Sequence, residues 1–316
     1  MEKLKIVANP VAGQGAGARA IPRIEQLLRQ RGLDFQLVRT ERRWHAAELA
    51  REAAATGWDV VVAAGGDGTA NEVVNGLMIA RQEGHRDCAL GVLGVGRGND
   101  FGYGVGVPHD LEPACQVLAE GHRREIDVGR VVGGLYPQGR YFCNCVGVGF
   151  DAIGTIEVAK MPRLGGFLSF FVAVLKTILL YYRAPLVTVE YDGQVLTQPS
   201  LMVSIMNGRR LGGGFMMAPQ AEPDDGLFDL CIVREVSRAR MFGLIPHFLR
   251  GTQATQEPVT TGQAARISIA AVKGSLPAQT DGEILCVDGQ RLEIELLPRQ
   301  IEVLCVTSTR GSPAVA

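Results

Sequence analysis

The chain has 316 residues, a hydrophobic fraction of 47% and a formal net charge of −1, so one large domain or two ordinary ones can bury a core. With 32 Lys and Arg against 33 Asp and Glu, the balanced charge argues against nucleic acid as a partner. The seven cysteines form no Cys-x-x-Cys pair, which favours a reducing, cytoplasmic environment over a disulfide-bonded one.

The first part of the chain alternates strand and helix patterns. Apolar runs predict strands at 4–8, 35–39, 60–64 and 89–93, with helical patterns between them. Repeated βα units of this kind predict a parallel, doubly wound sheet. Because such sheets bind ligands at the carboxyl edge of their strands, the loops that follow these strands are the expected site.

The strand at 60–64 leads into a glycine turn and then into a helix predicted to begin at Thr69. The turn and the first helical residues are Gly65, Gly66, Asp67, Gly68, Thr69, Ala70, Asn71 and Glu72. Glycine amides at a helix N-terminus form an anion site, and Thr69 with Glu72 fits a capping box. A carboxylate at Asp67 repels a phosphate unless a cation lies between them, which suggests a metal–nucleotide site. The alternative is an Asp-Gly turn that only closes a strand–helix corner.

A second glycine turn follows the strand at 89–93. It contains Gly96, Arg97, Gly98, Asn99 and Asp100. The guanidinium of Arg97 could face phosphate oxygens, and Asp100 could face a hydroxyl. The alternative is an Arg–Asp pair on a surface loop.

After about residue 124, short alternating strands separated by Asp-Gly turns predict an antiparallel β-sandwich. The predicted domains are therefore an α/β domain over 1–124, to which a final strand at 298–310 returns, and a β-sandwich domain over 125–297. The sandwich is interrupted by an apolar helical stretch at 164–182, flanked by basic residues, and by a second helix near 237–250. We interpret the apolar stretch as a helix that contacts a membrane surface rather than one that spans the membrane.

Two acidic turns of the second domain carry further chemistry. The first, at 218–229, contains Glu222, Asp225 and Leu227, and its carboxylates and turn carbonyls suit a hard cation; the alternative is a solvated acidic hairpin. The second places Glu283 directly before a strand, where its carboxylate could act as a general base. The alternative there is an exposed glutamate beside an Asp-Gly turn.

In their order along the chain, these motifs resemble the diacylglycerol kinase catalytic domain family, and most closely its stand-alone bacterial lipid kinases; sphingosine and ceramide kinases are related. The resemblance covers nearly the whole chain and also includes Asn9-Pro10, Thr40, Asp127 and Gly149–Ala152. It implies an N-terminal doubly wound α/β nucleotide-binding domain, a C-terminal antiparallel β-sandwich that binds the lipid, and an active site in the cleft. The implied activity is ATP-dependent phosphorylation of a primary hydroxyl of a membrane lipid, either diacylglycerol-like or a sphingolipid.

The resemblance also implies residue roles. ATP would be held by Asn9, Thr40, Gly65–Glu72 and Gly96–Asn99. Glu283 would accept the proton of the lipid hydroxyl, and Asp67 would organise Mg²⁺ and the phosphates. A further Mg²⁺ would bind Asp225 and backbone oxygens of Glu222 and Leu227, while Asp100 and Asp127 would face the substrate.

Arg97 departs from the family pattern, in which this position is usually Thr. Two alternatives stay open: an NAD kinase-like enzyme, whose family shares the Gly-Gly-Asp-Gly-Thr loop, and a lipid-binding module that has lost activity through Arg97. The expected partners are a lipid substrate and, by peripheral contact from the cytoplasm, the inner membrane face. A homodimer and the identity of the lipid are left open.

Overall fold

The computed structural model describes residues 2–96, 98–160, 166–180 and 182–307. The chain forms two compact units. Unit 1 comprises the residues up to Ile126 together with those from Arg299 onward, and unit 2 comprises Asp127–Pro298. Each unit has its own sheet structure and its own apolar core.

Unit 1 contains a parallel sheet in the order β15-β4-β3-β1-β2. Its strands are β1 (Lys3–Ala8), β2 (Asp34–Arg39), β3 (Val60–Gly65), β4 (Ala89–Gly94) and the last residues of β15 (Arg291–Leu304). Every residue of β3 is buried, as expected for an apolar run in the middle of a parallel sheet. The predicted α/β architecture of the N-terminal part is therefore confirmed.

Five helices connect these strands: α1 (Ala12–Gln30), α2 (His45–Ala55), α3 (Asp67–Gln82), α4 (Asp100–Gly104) and α5 (Leu111–Glu120). Helix α2 packs so closely on α3 that a Cβ atom on Gly76 would lie 2.2 Å from the carbonyl oxygen of Ala47. Only glycine fits there. This contact sets how closely α2 and α3 pack, and α3 begins at the carboxyl edge of the sheet, where the glycine turn lies.

Unit 2 is a β-sandwich of antiparallel strands. They are β5 (Arg123–Gly133), β6 (Tyr136–Phe142), β7 (Cys145–Gly149), β8 (Leu186–Tyr191), β9 (Gln194–Met206), β10 (Phe228–Arg234), β11 (Val259–Ala264), β12 (Arg266–Lys273), β13 (Leu276–Thr280), β14 (Glu283–Gly289) and the first part of β15. The first half of β9 pairs with β8 and its second half with β7 and β10, so this strand joins the two layers. The stacked rings of Phe142 and Phe228, with centroids 5.4 Å apart, lie in the core.

Three helices, α6 (Phe150–Lys160), α7 (Gly166–Leu180) and α8 (Arg238–Arg250), belong to the same unit and share a second apolar cluster with β9 and β10. Helix α7 is the described part of the apolar stretch at 164–182; Leu164, Gly165 and Tyr181 lie outside the described residues. Among the described helices, none combines the length and apolarity needed to cross a bilayer.

Two predicted boundaries are wrong. Helix α3 begins at Asp67 rather than Thr69, because Gly66 adopts the extended N-cap conformation. The final strand, expected at 298–310, is the last part of a longer strand, β15, which begins at Arg291 and ends at Leu304. Pro298 breaks the sequence pattern there, but Arg299 continues the strand with a φ of 49°.

Candidate functional site

The glycine turn after β3 offers backbone N–H groups at the start of a long helix. Gly66 is the N-cap residue of α3, and no side chain caps the helix. The four amides at a helix start lack partners within the helix, and the helix dipole favours an anion near them. The turn is therefore suited to bind phosphate.

The predicted capping box is wrong, because both of its side chains have partners on other elements. The Thr69 hydroxyl accepts a hydrogen bond from Asn9 Nδ2 at 3.0 Å. Glu72 Oε2 accepts one from the N–H of Ala46, the second residue of α2, at 3.1 Å. These bonds tie the turn to the end of β1 and to α2, so they position it rather than cap it.

Two more predicted ATP-binding residues lie at the same edge. The backbone N–H of Asn9 donates to the Ala64 carbonyl oxygen, and the backbone N–H of Thr40 donates to the Ala8 carbonyl oxygen; each bond is 2.9 Å long. The ends of β1, β2 and β3 are therefore adjacent. The Thr40 side chain is mostly buried. Ala70 and Asn71, by contrast, are buried in α3, which leaves the turn itself as the accessible part of the predicted loop.

The two glycine turns of unit 1 touch each other. The Val95 amide donates to the Gly65 carbonyl at 2.9 Å, and a Cβ on Gly96 would lie 2.3 Å from the Gly66 Cα. The Asn99 side chain, on a residue with a φ of 51°, accepts from the Gly96 N–H at 3.1 Å. The structure therefore brings both predicted turns into one cradle. Arg97 lies outside the described residues.

Two carboxylates flank Gly98 in this cradle. A Cβ on Gly98 would lie 3.0 Å from Oδ2 of Asp67 and 3.0 Å from Oδ2 of Asp100. The other oxygen of Asp67 accepts the Phe101 N–H at 3.0 Å, which fixes the carboxylate. Two carboxylate oxygens beside a phosphate-type cradle are a donor set that suits Mg²⁺.

The acidic turn of unit 2 surrounds Asp127, which is fully buried. Asp127 Oδ2 accepts the Gly226 N–H at 2.8 Å, and its own N–H donates to Pro223 at 2.7 Å. Asp225 Oδ1 accepts the N–H of Leu227 at 2.9 Å, and burial raises the pKa of Asp225. The Glu222 side chain pairs with Arg209.

Asp229, on β10 beside this turn, was not among the predicted site residues. Burial, with the charge of Asp225 as a second cause, raises the pKa of Asp229 to about 6. Its Oδ2 is buried and has no hydrogen-bond partner within the described part of the chain. Among those residues no three His, Cys, Asp or Glu side chains cluster as a complete metal site. A cation here would therefore need backbone oxygens, as the resemblance implies.

Glu283 begins β14 at a turn that is fixed by Asp281. The Asp281 carboxylate accepts the N–H groups of Cys143, Asn144 and Cys145 at 2.9, 3.0 and 2.8 Å. Asp281 has a φ of 45°, a backbone conformation that these bonds hold in place. Glu283 itself is partly exposed. The role of Asp281 could not be predicted from the sequence, because its partners lie more than a hundred residues away.

The sequence pattern gave no sign of an apolar cavity of about 70 Å³ in unit 2. Its walls are side chains of α6, α7, α8, β9 and β10 and of the segment around Phe215. Asp151 is the charged residue in this lining, and it accepts a hydrogen bond from Ser204. Burial raises the pKa of Asp151 to about 7. An apolar lining with a single polar group of this kind is typical of a site for an apolar ligand.

Comparison with known proteins supports the architecture. Residues 3–131 match the family model of the diacylglycerol kinase catalytic domain, and residues 144–305 match that of the YegS C-terminal NAD kinase beta sandwich-like domain. The chain is 30% identical over 285 residues to a diacylglycerol kinase of Bacillus subtilis, with 90% of each chain covered. It is 29% identical to one from Staphylococcus aureus, with 89% of this chain and 86% of the other covered.

Solved structures agree with these matches. A diacylglycerol kinase from Bacillus anthracis aligns with a TM-score of 0.72, 25% identity and 96% of both chains covered. An NAD kinase from Archaeoglobus fulgidus, solved with ATP, aligns with a TM-score of 0.50 and 15% identity over 96% of this chain and 93% of the other, which shows a shared fold alone. The resemblance drawn from the motifs is confirmed, and the chain belongs to the diacylglycerol kinase catalytic domain family.

Proposed function

We propose that the protein is an ATP-dependent lipid kinase that phosphorylates a primary hydroxyl of a diacylglycerol-like lipid. Its relatives are named diacylglycerol kinases, which supports both the reaction and the substrate class. The apolar cavity of unit 2 is the observation that carries the proposal. A lining of Phe, Met, Leu, Ile and Val suits acyl chains and does not suit NAD, which is polar and charged.

In unit 1, we assign the cradle formed by the two glycine turns to the phosphates of ATP. Its backbone N–H groups would contact phosphate oxygens, and Asn9 and Thr40 would border the nucleotide. Asp67 would organise Mg²⁺, which neutralises charge on the phosphoryl oxygens when it is bound. Asp100, which the resemblance assigned to the substrate side, lies close enough to Asp67 to share that cation. The two carboxylate oxygens beside Gly98 support this assignment.

In unit 2, we assign the acidic turn to a second Mg²⁺. Asp225 and backbone oxygens of Glu222 and Leu227 would hold it, and Asp127 would order the turn through its bond to Gly226. Two observations support a cation at this turn. Oδ2 of Asp229 is buried, and the pKa values of Asp225 and Asp229 are raised, mainly by burial. A bound cation would stabilise the ionised form of both carboxylates.

We assign the proton acceptor to Glu283. As the lipid oxygen bonds to the γ-phosphorus, the bond from phosphorus to the β,γ-bridging oxygen breaks, ADP leaves, and Glu283 takes the hydroxyl proton. The three hydrogen bonds to Asp281 support this role, because they fix the turn that carries Glu283. General-base catalysis typically contributes about 10²–10⁴-fold to a rate.

A phosphotransfer assay tests the proposal. The protein would be incubated with labelled ATP, Mg²⁺ and, separately, diacylglycerol, ceramide, a sphingoid base, phosphatidylglycerol and NAD. Label is expected in a lipid, with diacylglycerol favoured. Label in NAD would establish the NAD kinase alternative, and no transfer to any lipid would favour the lipid-binding module.

Glu283→Gln sharpens that assay, because it keeps the shape of the side chain and removes the base. We expect the turnover number to fall by at least about 100-fold, with ATP binding retained. Glu293→Gln, at an exposed position of β15 paired with Arg291, is the matched control and should keep full activity. Unchanged turnover in Glu283→Gln would remove Glu283 from the mechanism.

A membrane lipid as acceptor requires contact with a membrane, so we propose peripheral association with the cytoplasmic face of the inner membrane. The apolar sequence of α7 supports that contact. All seven cysteines are buried thiols outside any disulfide, which supports a reducing compartment. A homodimer remains a prediction.

A further inference from the structure

Helix α8 carries exposed apolar side chains on the face that points away from its unit. Phe242 and Leu249 are 39% and 36% exposed, and Ala239, Gly243 and Pro246 on the same face are also exposed. Residues three, four and seven positions apart share one side of a helix. The opposite side, with Met241, Leu244 and Phe248, is buried against the apolar cluster. The helix is therefore apolar on both sides.

The end of α7 adds to this face. Leu179 and Leu180 are 58% and 62% exposed. The Arg238 side chain, one turn before Phe242 on α8, donates to the carbonyl oxygen of Ile178 at 3.1 Å. Tyr182 donates to the Val236 carbonyl at 2.7 Å, which ties the same two helix ends together again. Leu179 and Leu180 therefore lie near the start of α8. We name these two side chains, together with Phe242 and Leu249, the α7–α8 apolar surface.

The charge on α8 is of one sign. Its sequence RARMFGLIPHFLR contains no acidic residue, and the exposed side chains of Arg240 and Arg250 stand before and after the apolar residues. Of two acidic residues on the flanking segments, Glu257 is paired with Arg234 and Glu235 accepts a hydrogen bond from the Tyr182 hydroxyl. An apolar helix face with arginines at both ends complements an anionic lipid surface.

The same two helices also wall the apolar cavity. Val174 and Ile178 of α7 and Met241, Leu244 and Phe248 of α8 line it. The side chains of the α7–α8 apolar surface are on the other faces of these helices. A bilayer that receives Phe242, Leu249, Leu179 and Leu180 would thus contact the elements that enclose the cavity.

From these observations we infer that the α7–α8 apolar surface inserts into anionic phospholipid bilayers, with Arg240 and Arg250 contacting the head groups. This inference rests on the proposed lipid kinase function and names the surface by which the enzyme reaches its substrate. It assigns α8 a function that the sequence analysis gave only to the apolar stretch at 164–182.

Vesicle sedimentation of the full chain tests the inference directly. The probes are phosphatidylcholine vesicles with and without phosphatidylglycerol. The double variant Phe242→Glu with Leu249→Glu should reduce binding to the anionic vesicles by at least about tenfold, since two inserted apolar side chains become charged. Val195→Glu with Val272→Glu is the matched control. These valines are 68% and 56% exposed in the same unit, outside the surface, and their replacement should leave binding unchanged.

A second pair of variants separates insertion from charge. Leu179→Ser with Leu180→Ser should weaken binding to both kinds of vesicle. Arg240→Gln with Arg250→Gln should instead remove most of the preference for phosphatidylglycerol. The inference would be overturned if the double variant Phe242→Glu with Leu249→Glu bound vesicles as well as the wild type does. Urea unfolding would show that both proteins are folded.

Kinase assays distinguish a failure of the membrane-docking inference from a failure of the proposed lipid kinase function. With a short-chain diacylglycerol dissolved in water, the Phe242 and Leu249 variant should match the wild type, whereas its activity on diacylglycerol in vesicles should fall in parallel with binding. A wild type that binds vesicles without phosphorylating any lipid would refute the proposed function and leave the docking surface standing. Loss of activity on the dissolved lipid would overturn the inference, since Phe242 and Leu249 would then act within the site.

Discussion

The cradle of two glycine turns in unit 1 and the apolar cavity of unit 2 are built in different ways. The cradle is made of backbone, in two short glycine turns that follow neighbouring strands of one sheet. The cavity is made of side chains that are spread from Phe150 to Phe248 on three helices and two strands. The first kind of site depends on the absence of side chains, and the second on their size and polarity. Substitutions should therefore affect the two sites in opposite ways.

Adding a methyl group to the cradle should have the largest effect. In Gly96→Ala the new Cβ would lie 2.3 Å from the Gly66 Cα, so the two turns have to separate. A displacement of about 1 Å in a catalytic site can reduce activity about 100-fold, and we expect that loss in kcat/KM for ATP. Steady-state kinetics and calorimetric titration with ATP would measure it.

Gly102→Ala is the control within the same unit. Its Cβ would meet Val92 at 3.7 Å, an ordinary van der Waals contact, and nucleotide binding should be unaffected. If Gly96→Ala bound ATP as tightly as the wild type, the two turns would not form the nucleotide site.

The difference between a site made of backbone and a site made of side chains also explains what the sequence could and could not predict. The glycine turns could be located because strand, turn and helix are contiguous and parallel strands share one carboxyl edge. The cavity could not, because Asp151 and Ser204 are 53 residues apart and meet only after β7 and β9 pair. The capping box at Thr69 failed for the same reason: Asn9 and Ala46, both distant in sequence, take its two side chains.

Asp151 allows the cavity to be tested by pH. Burial raises its pKa to about 7. The folded protein thus keeps a proton that the unfolded chain releases near its normal pKa, so the free energy of unfolding falls as the pH rises between these two values. Asp151→Asn lacks this titration. Between about pH 5 and about pH 7.5, the wild type should lose about 2 kcal/mol of stability relative to Asp151→Asn.

Urea unfolding at the two pH values would measure this difference. Asp192→Asn, at an exposed turn of the same unit, is the control and should show no such change relative to the wild type. A constant difference between wild type and Asp151→Asn at both pH values would mean that Asp151 is solvated, and the cavity would then be open to water at this position.

The smallest expected effect comes from side chains added to the cavity. Gly154 of α6 lines it, and a Cβ built there meets no other atom within 4 Å. Gly154→Ala should therefore be tolerated and, because alanine favours a helix, should stabilise unit 2 by about 0.5–1 kcal/mol. Gly154→Leu fills part of the space that we assign to acyl chains.

In Gly154→Leu, we expect KM for a long-chain diacylglycerol to rise by at least about tenfold, since even one methylene in an apolar pocket changes specificity by about 10–200-fold. KM for ATP and activity on a short-chain diacylglycerol should stay close to those of Gly154→Ala. The size of residue 154 would thus select among lipids without affecting the nucleotide, the reverse of the effect at Gly96. If instead both substrates lost activity equally, the added side chain would be distorting α6, and the acyl chain would have to bind elsewhere in the protein.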